Sequence, residues 1–229
     1  MASTNPTPQP TKTTSTTTNQ PRYRAIRATY SPNTITVYQA YPSSIATPAL
    51  AAQTFVPPFS RTRMTWIKPS FLWMAYRSGY GTKPGQERVL AIEITREGFE
   101  WALRHSCLSH WGDQNNIPQS GTGPDYVESK KQWQEKLHSS PVRIQWDPER
   151  DLKHRPSIYR SIQSGLGPLA VAKYVDEWIV SVTDVTDLMR EVSGYVDRGD
   201  LNTAFSCLPD EREYPLPEEL RAIVHASPL

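Results

Sequence analysis

The sequence predicts an α+β fold: one compact domain with a mixed or antiparallel central sheet flanked by helices. Three observations carry this expectation. The chain has 229 residues, 37% of them hydrophobic, enough for one well-buried core and short for two. Segments with period-two alternation, such as Val142-Arg143-Ile144-Gln145-Trp146, are interspersed with segments of helical period. No run approaches the roughly 18 consecutive apolar residues of a membrane span, and the first thirty residues lack the apolar core of a secretory signal. With only two cysteines, Cys107 and Cys207, a disulfide framework is not expected. A cytoplasmic or nuclear protein without membrane contact is therefore predicted.

Residues 1–21 are nearly all Thr, Ser, Pro, Asn and Gln, too poor in apolar side chains to offset the entropy of ordering, and read as a disordered tail. Residues 22–215 form the predicted domain and 216–229 a C-terminal extension. The domain opens with alternation up to Tyr30, a turn at Ser31-Pro32-Asn33 and a second run over 34–38, which predicts a β-hairpin. A helix over 44–55 carries Ile45, Ala49, Leu50 and Ala52 and is stopped by Pro57-Pro58. Pro69 opens a short helix with Phe71, Trp73, Met74 and Tyr76, and Gly79, Gly81 and Pro84-Gly85 make a mobile loop. Residues 89–94 read as a buried strand and 96–108 as a helix with Phe99, Ala102 and Leu103 inward.

A polar loop over 112–125 and an exposed helix over 127–137 follow. The strand at 142–146 ends in a turn at Asp147-Pro148-Glu149-Arg150, and a strand at 159–163 is broken by Gly165 and Gly167. A helix over 168–177, a sheet-closing strand over 178–182, helices over 187–196 and 200–208, and a Pro-rich end that docks or frays complete the reading.

The formal charge of +2 hides an asymmetry, because no Asp or Glu occurs before Glu87. Residues 1–86 hold nine basic side chains and no acid, for +9; the remainder holds 16 basic and 23 acidic residues, for -7. A positive surface of this kind concentrates an anionic partner: a nucleotide, a nucleic acid or an acidic head group. The plainer reading is that the positive half docks on the negative half.

The segment from Arg63 to Lys83 interleaves cations, aromatic rings and glycines, as a site for a phosphate-bearing ring compound requires. Trp66, Phe71, Trp73 and Met74 are equally what a core needs, whereas Lys68, Arg77 and Lys83 are not. A second group comprises Asp147, Glu149 and Arg150 with Arg160 and Gln163. Gln163, at a strand end, is placed to orient a ribose hydroxyl or a nucleophile, and Asp147 and Glu149 are candidate bases. Against this, Asp147 serves equally as a turn cap and Glu149 as part of an exposed pair. His105, Cys107 and His110 are not expected to bind metal, because residues 105 and 107 lie about 200° apart on a continuous helix. No nucleotide-binding glycine loop, H-E-x-x-H or G-x-S-x-G is present.

Arg63-Met64-Thr65-Trp66-Ile67-Lys68-Pro69-Ser70-Phe71-Leu72-Trp73-Met74 and Lys83-Pro84-Gly85-Gln86-Glu87-Arg88-Val89-Leu90 resemble the family known as domain of unknown function 4291. The likeness runs from about Tyr23 to Pro215 and implies no activity by itself. In the order of its elements the chain is also similar to small members of the ADP-ribosyltransferase superfamily. That resemblance implies an ADP-ribosyltransferase-like fold with Val37-Tyr38-Gln39-Ala40-Tyr41 as its first strand, where Gln39 stands in place of the usual Arg or His. It also puts Gln163 at the catalytic position of the late strand. The implied activity is ADP-ribosyl transfer from NAD, with no metal and with RNA or DNA as one class of acceptor. The implied cofactor-binding set is Gln39, Tyr41, Trp66, Lys68, Ser70, Tyr76, Arg77, Tyr80, Lys83 and Arg160, and the catalytic set Gln163, Asp147 and Glu149. The competing class is a non-catalytic RNA- or DNA-binding module that puts the same cations on phosphates and stacks bases on the same rings.

Overall fold

The computed structural model describes residues 22–113 and 124–228. The chain enters through β1 (Arg27–Ala28) and turns at Ser31, whose N–H donates to the Thr34 carbonyl at 2.9 Å, into β2 (Thr34–Tyr41). Next come α1 (Ser43–Ala52), β3 (Thr65–Ile67), α2 (Phe71–Ser78), β4 (Arg88–Thr95) and α3 (Arg96–Arg104). They are followed by β5 (Ser106–Leu108), α4 (Pro124–Ser139), β6 (Val142–Arg150), β7 (Pro156–Leu166) and α5 (Pro168–Lys173). A π-helical turn at Tyr174–Trp178 leads into β8 (Ile179–Asp184), and α6 (Thr186–Asp197), α7 (Leu201–Ser206), β9 (Arg212–Glu213) and α8 (Glu218–Ile223) follow.

The molecule is an α+β domain with antiparallel and mixed sheets. Strands β2, β4 and β8 form an antiparallel sheet in the order β2-β4-β8. A second sheet has the order β3-β7-β6-β5, antiparallel except for the parallel pair β5 and β6, and β1 pairs with β9. The two larger sheets are joined where the Tyr38 N–H donates to the Lys68 carbonyl at 2.8 Å.

Alternation along the strands builds two layers of core. On β4, Leu90, Ile92 and Ile94 face the main core with Ile35 and Val37 of β2, Val142, Ile144 and Trp146 of β6, and Phe99 and Leu103 of α3. Val89 and Tyr38 point to the opposite face, where Phe71 and Met74 of α2 and Met189 and Val192 of α6 cover them. The second face of the β2-β4-β8 sheet is covered at its Tyr38 and Val89 end, whereas Thr34, Glu93 and Ser181 bond one another on its exposed end. Gly98 is required by this packing, because a Cβ there would lie 2.3 Å from the Trp178 ring.

Several elements differ from the sequence expectation. The turn at 31–33 closes a short hairpin, in which Tyr30 bridges to Ile35 and the Thr36 N–H donates to the Thr29 carbonyl at 2.9 Å, but β1 itself pairs with β9. Helix α3 stops at Arg104, four residues early: the Ser106 hydroxyl donates to the Leu103 carbonyl at 2.7 Å, and residues 106–108 pair with β6. Asp147, Pro148, Glu149 and Arg150 stay in β6, with a register shift between Pro148 and Arg150. The turn falls at 151–155, where Asp151 Oδ1 accepts from the N–H groups of Lys153 and Arg155, both at 2.9 Å. Gly165 does not break β7, and Gly167 instead starts α5. Helix α5 gives way to the π-helical turn after Lys173.

The 79–85 segment is a chain of bonded turns in which Lys83 N–H donates to Ser78 O and Gln86 N–H to Lys83 O, both at 3.0 Å. The Pro-rich end docks: Leu216, Leu220 and Val224 lie in the main core, and the Trp146 indole donates to the Val224 carbonyl at 2.7 Å. Residues 1–21 and most of the polar loop lie outside the described residues. Among the described residues no helix is long and apolar enough to cross a membrane.

Candidate functional site

Three consecutive pieces of chain, β3, the turn after it and α2, build one side of the site, and β2 and β7 complete it. Strand β3 pairs antiparallel with β7, placing Trp66 opposite Gly165, and the chain then leaves the sheet at Lys68. Pro69 turns it, and Ser70 caps α2 by accepting from the Trp73 N–H at 3.1 Å. Gly79, at φ 59°, ends α2 with N–H contacts to the last turn.

Lys68 is fully buried at the junction of the two sheets. Its Nζ donates to Asp147 Oδ2 at 2.8 Å and to the Ser161 carbonyl at 3.3 Å, and lies 4.0 Å from the Trp73 ring centroid. Burial pushes the Lys68 amine down to about 8, and the neighbouring Asp147 carboxylate opposes that shift.

The Gln39 amide is engaged on both sides. Its Nε2 reaches the Tyr41 hydroxyl and Thr65 Oγ1 at 2.8 Å and the Trp66 carbonyl at 3.0 Å, while Oε1 accepts from the Tyr174 hydroxyl at 2.8 Å. Gln39 therefore ties β2 to β3 and to the π-helical turn. Tyr41, enclosed in this network, has its hydroxyl pushed up to about 12 by burial.

These groups form the back of a cleft of about 490 Å³ whose wall includes Arg63, Trp66, Lys68, Trp73, Arg77 and Gln163. Among the described residues no Asp or Glu lines it. Arg63 and Arg77 are exposed and make no ion pair with a described residue; with the Gln86 amide turned so that its oxygen faces the guanidinium, Arg77 donates to it at 3.2 Å. The Gln163 side chain makes no hydrogen bond among the described residues, although its backbone is paired with Gln145.

Of the residues singled out by sequence, the cleft unites Gln39, Tyr41, Trp66, Lys68, Arg77 and Gln163, with Asp147 behind Lys68. Ser70 and Glu149 line a different cavity, where the Ser70 hydroxyl donates to Glu149 Oε1 at 2.8 Å. The other four serve the scaffold. Lys83 Nζ bonds the carbonyls of Tyr76 and Arg77 at the end of α2, and Tyr76 lies 3.9 Å from the Arg150 guanidinium. Tyr80 stacks on His154 and donates to the Leu152 carbonyl, and Arg160 reaches the Tyr23 hydroxyl and the Trp146 carbonyl.

Sequence reasoning passed over Arg63, Thr65 and Tyr174. Arg63 was open to inference as the one remaining cation of the Arg63 to Lys83 segment. Tyr174, 135 residues from Gln39, had no local signal. The His105, Cys107 and His110 cluster is split between a helix end, β5 and the bend beyond it, and His105 stacks on Trp101. Among the described residues no three His, Cys, Asp or Glu side chains converge as a metal ion requires.

Comparison with curated proteins and with solved structures finds no match. A family profile described as Domain of unknown function (DUF4291) matches residues 25–214, a span that contains β1 to β9 and every residue of the cleft. The chain belongs to the DUF4291 family.

Proposed function

We propose that the chain is an ADP-ribosyltransferase-like enzyme that binds NAD in the cleft beside β3, α2 and β7, with nucleic acid as one class of acceptor. The observation that supports the ligand class is the charge of the cleft, where the exposed Arg63 and Arg77 stand on a wall with no acid among the described residues, the Lys68 charge being met by Asp147 behind it. Two arginines without carboxylate partners favour a phosphate-bearing ligand, and about 490 Å³ is within the range of small-molecule sites.

In this reading Arg63 and Arg77 hold the pyrophosphate and Trp66 offers a face to a ring. Gln163, whose amide is not committed to the scaffold, hydrogen-bonds a ribose hydroxyl or the acceptor. The bond between nicotinamide and ribose C1′ breaks, nicotinamide leaves with the electron pair, and an acceptor nucleophile adds to C1′ and gives its proton to solvent. Gln39 and Lys68 act by holding the back wall.

Calorimetry with NAD, ADP and adenosine, together with label transfer from NAD to protein, RNA and DNA, tests the reading. NAD and ADP should bind more tightly than adenosine, and nicotinamide should be released as label appears on an acceptor. Binding confined to oligonucleotides, with a steep salt dependence, would replace the enzyme by a nucleic-acid-binding module. Absence of binding by all of these ligands would remove the cleft as a site.

A further inference from the structure

The cleft does not end at Met64. That side chain also lines a second cavity of about 340 Å³, a furrow whose wall includes His138 of α4, Arg143 of β6 and Leu169 of α5. Part of the wall is bare backbone: the Gly167 N–H donates to the Pro141 carbonyl at 2.8 Å, and a Cβ on Gly167 would lie 2.9 Å from that oxygen. Among the described residues no Asp or Glu lines the furrow, as none lines the cleft. Through Met64 the two make one acid-free path over β3, β7 and β6.

Charge pairing within the fold accounts for part of the basic N-terminal half and leaves this path out. Arg22 pairs with Glu213, Arg61 with Asp176 at 2.7 Å, and Lys68 with Asp147 at 2.8 Å. Arg63 and Arg77 pair with no acid among the described residues, and neither does Arg143, whose register partner on β5 is Cys107. The Arg143 Nη1 donates to the Ser140 carbonyl at 2.6 Å, and its other N–H donors are uncommitted among the described residues. Two large apolar side chains stand exposed on the same path, Met64 at 41% and Leu169 at 61%. Internal packing asks for neither of them there.

We propose that the furrow is the track of a single-stranded nucleic acid, its phosphates on Arg143 and Arg63 and its bases against Met64 and Leu169, with the Met64 end leading into the cleft. Arginines without carboxylate partners fit phosphates, and exposed apolar side chains fit the base faces that an unpaired strand offers. A duplex keeps those faces stacked inside and would meet the furrow with phosphates alone. The chemistry recognised, phosphate and base face, is common to RNA and DNA.

In the NAD reading this strand is the acceptor, delivered to the cleft along the furrow. That role rests on the NAD reading. Strand binding does not, because Arg143 and Leu169 line the furrow and lie outside the cleft wall.

The test follows the fluorescence anisotropy of a labelled oligouridylate of about twelve nucleotides, the scale of single-strand sites, against the full chain without NAD. A duplex of the same length and an oligoglutamate serve as controls. The single strand should bind at least about fivefold more tightly than either, and its affinity should fall roughly tenfold between about 50 and 200 mM salt. Leu169→Glu, at an exposed position, should weaken strand binding about tenfold. Arg143→Gln should weaken it severalfold and lower the salt slope by about 0.7, which the loss of a merely structural bond would not do. Phe205→Glu, exposed in the wall of a different cavity, should leave strand binding unchanged. Strand binding without NAD binding would uphold the track and remove only the acceptor role. Absence of strand binding, binding unaltered in both Leu169→Glu and Arg143→Gln, or a duplex or oligoglutamate bound as tightly as the single strand, would overturn the track.

Discussion

The indole of Trp66 lies across the bare backbone of Gly165, its register partner: a Cβ on that glycine would sit 2.8 Å from Cη2 and 2.9 Å from Cζ2 and Cζ3. The contact fixes an aromatic wall of the cleft, and any side chain at position 165 must displace it. Gly165→Ala should lower stability by about 1–3 kcal/mol, the usual cost of overpacking, and should weaken nucleotide binding as well. Chemical denaturation and calorimetry on one purified variant measure both. Unchanged stability would mean that the indole is free to move aside.

Lys68 and Asp147 form a pair in which the lysine is buried and the aspartate side chain is 25% exposed. Removing one partner strands a buried charge. Asp147→Ala should therefore destabilise by about 3–5 kcal/mol, while the double change Lys68→Met with Asp147→Leu should recover much of that loss. A double variant no more stable than Asp147→Ala would show that the lysine supports the fold by something other than charge pairing.

The strands β2, β4, β6 and β7 and the helix after Pro69 were legible because period-two and capping signals lie within a few residues of one another. Partners distant in sequence were not. The hairpin expectation over 23–38 missed that β1 pairs with residues 212–213, and a turn signal at Asp147-Pro148 gave way to the demand of Lys68 for a carboxylate within β6. For the site, acid-free composition pointed to the Arg63 to Lys83 segment. Alternation and helical direction then decided which of its cations face the cleft: Lys68 and Arg77 do, while Lys83 folds back onto the carbonyls of α2. Glu211 lies 140 residues from the helix it caps, and nothing local marks it.

Glu211 should shape the pH dependence of stability. Its carboxyl is raised from an ordinary 4.5 to about 8 in the fold, so between those values the native state holds a proton that the unfolded chain has released. Stability from this group is complete below about pH 4.5 and is lost as pH rises through about 8. Glu211→Gln, which cannot titrate, should flatten that decline by an amount on the order of a few kcal/mol. Parallel denaturation curves at pH 5, 7 and 9 would reveal it, and identical slopes for both proteins would remove the buried-acid assignment.

Arg63 and Arg77 are exposed and unpaired with acids among the described residues, so their loss should leave the melting temperature within error. Each replacement by Ala should weaken NAD or ADP binding by about 1–3 kcal/mol, the scale of a charged hydrogen bond, and should affect adenosine little. Affinity for ADP unchanged in both variants would take the pyrophosphate out of this part of the cleft.

Gln163 separates catalysis from scaffolding most cleanly, because it sits on the cleft wall with its backbone held by β6 and its amide uncommitted among the described residues. Gln39 offers the contrast: its amide is bonded at both ends, so Gln39→Ala should lower stability first and binding only as a consequence. For Gln163→Ala the order should reverse. No internal hydrogen bond is lost, so the melting temperature should hold. If the amide bonds the ribose or acceptor more strongly in the transition state than in the ground state, turnover should fall by about tenfold or more with NAD affinity little changed. Nicotinamide release and thermal melting, measured on the same preparation, give both quantities. Full turnover in a stably folded Gln163→Ala protein would leave the cleft without its proposed catalytic group, whereas a large fall in melting temperature would assign the amide to the scaffold.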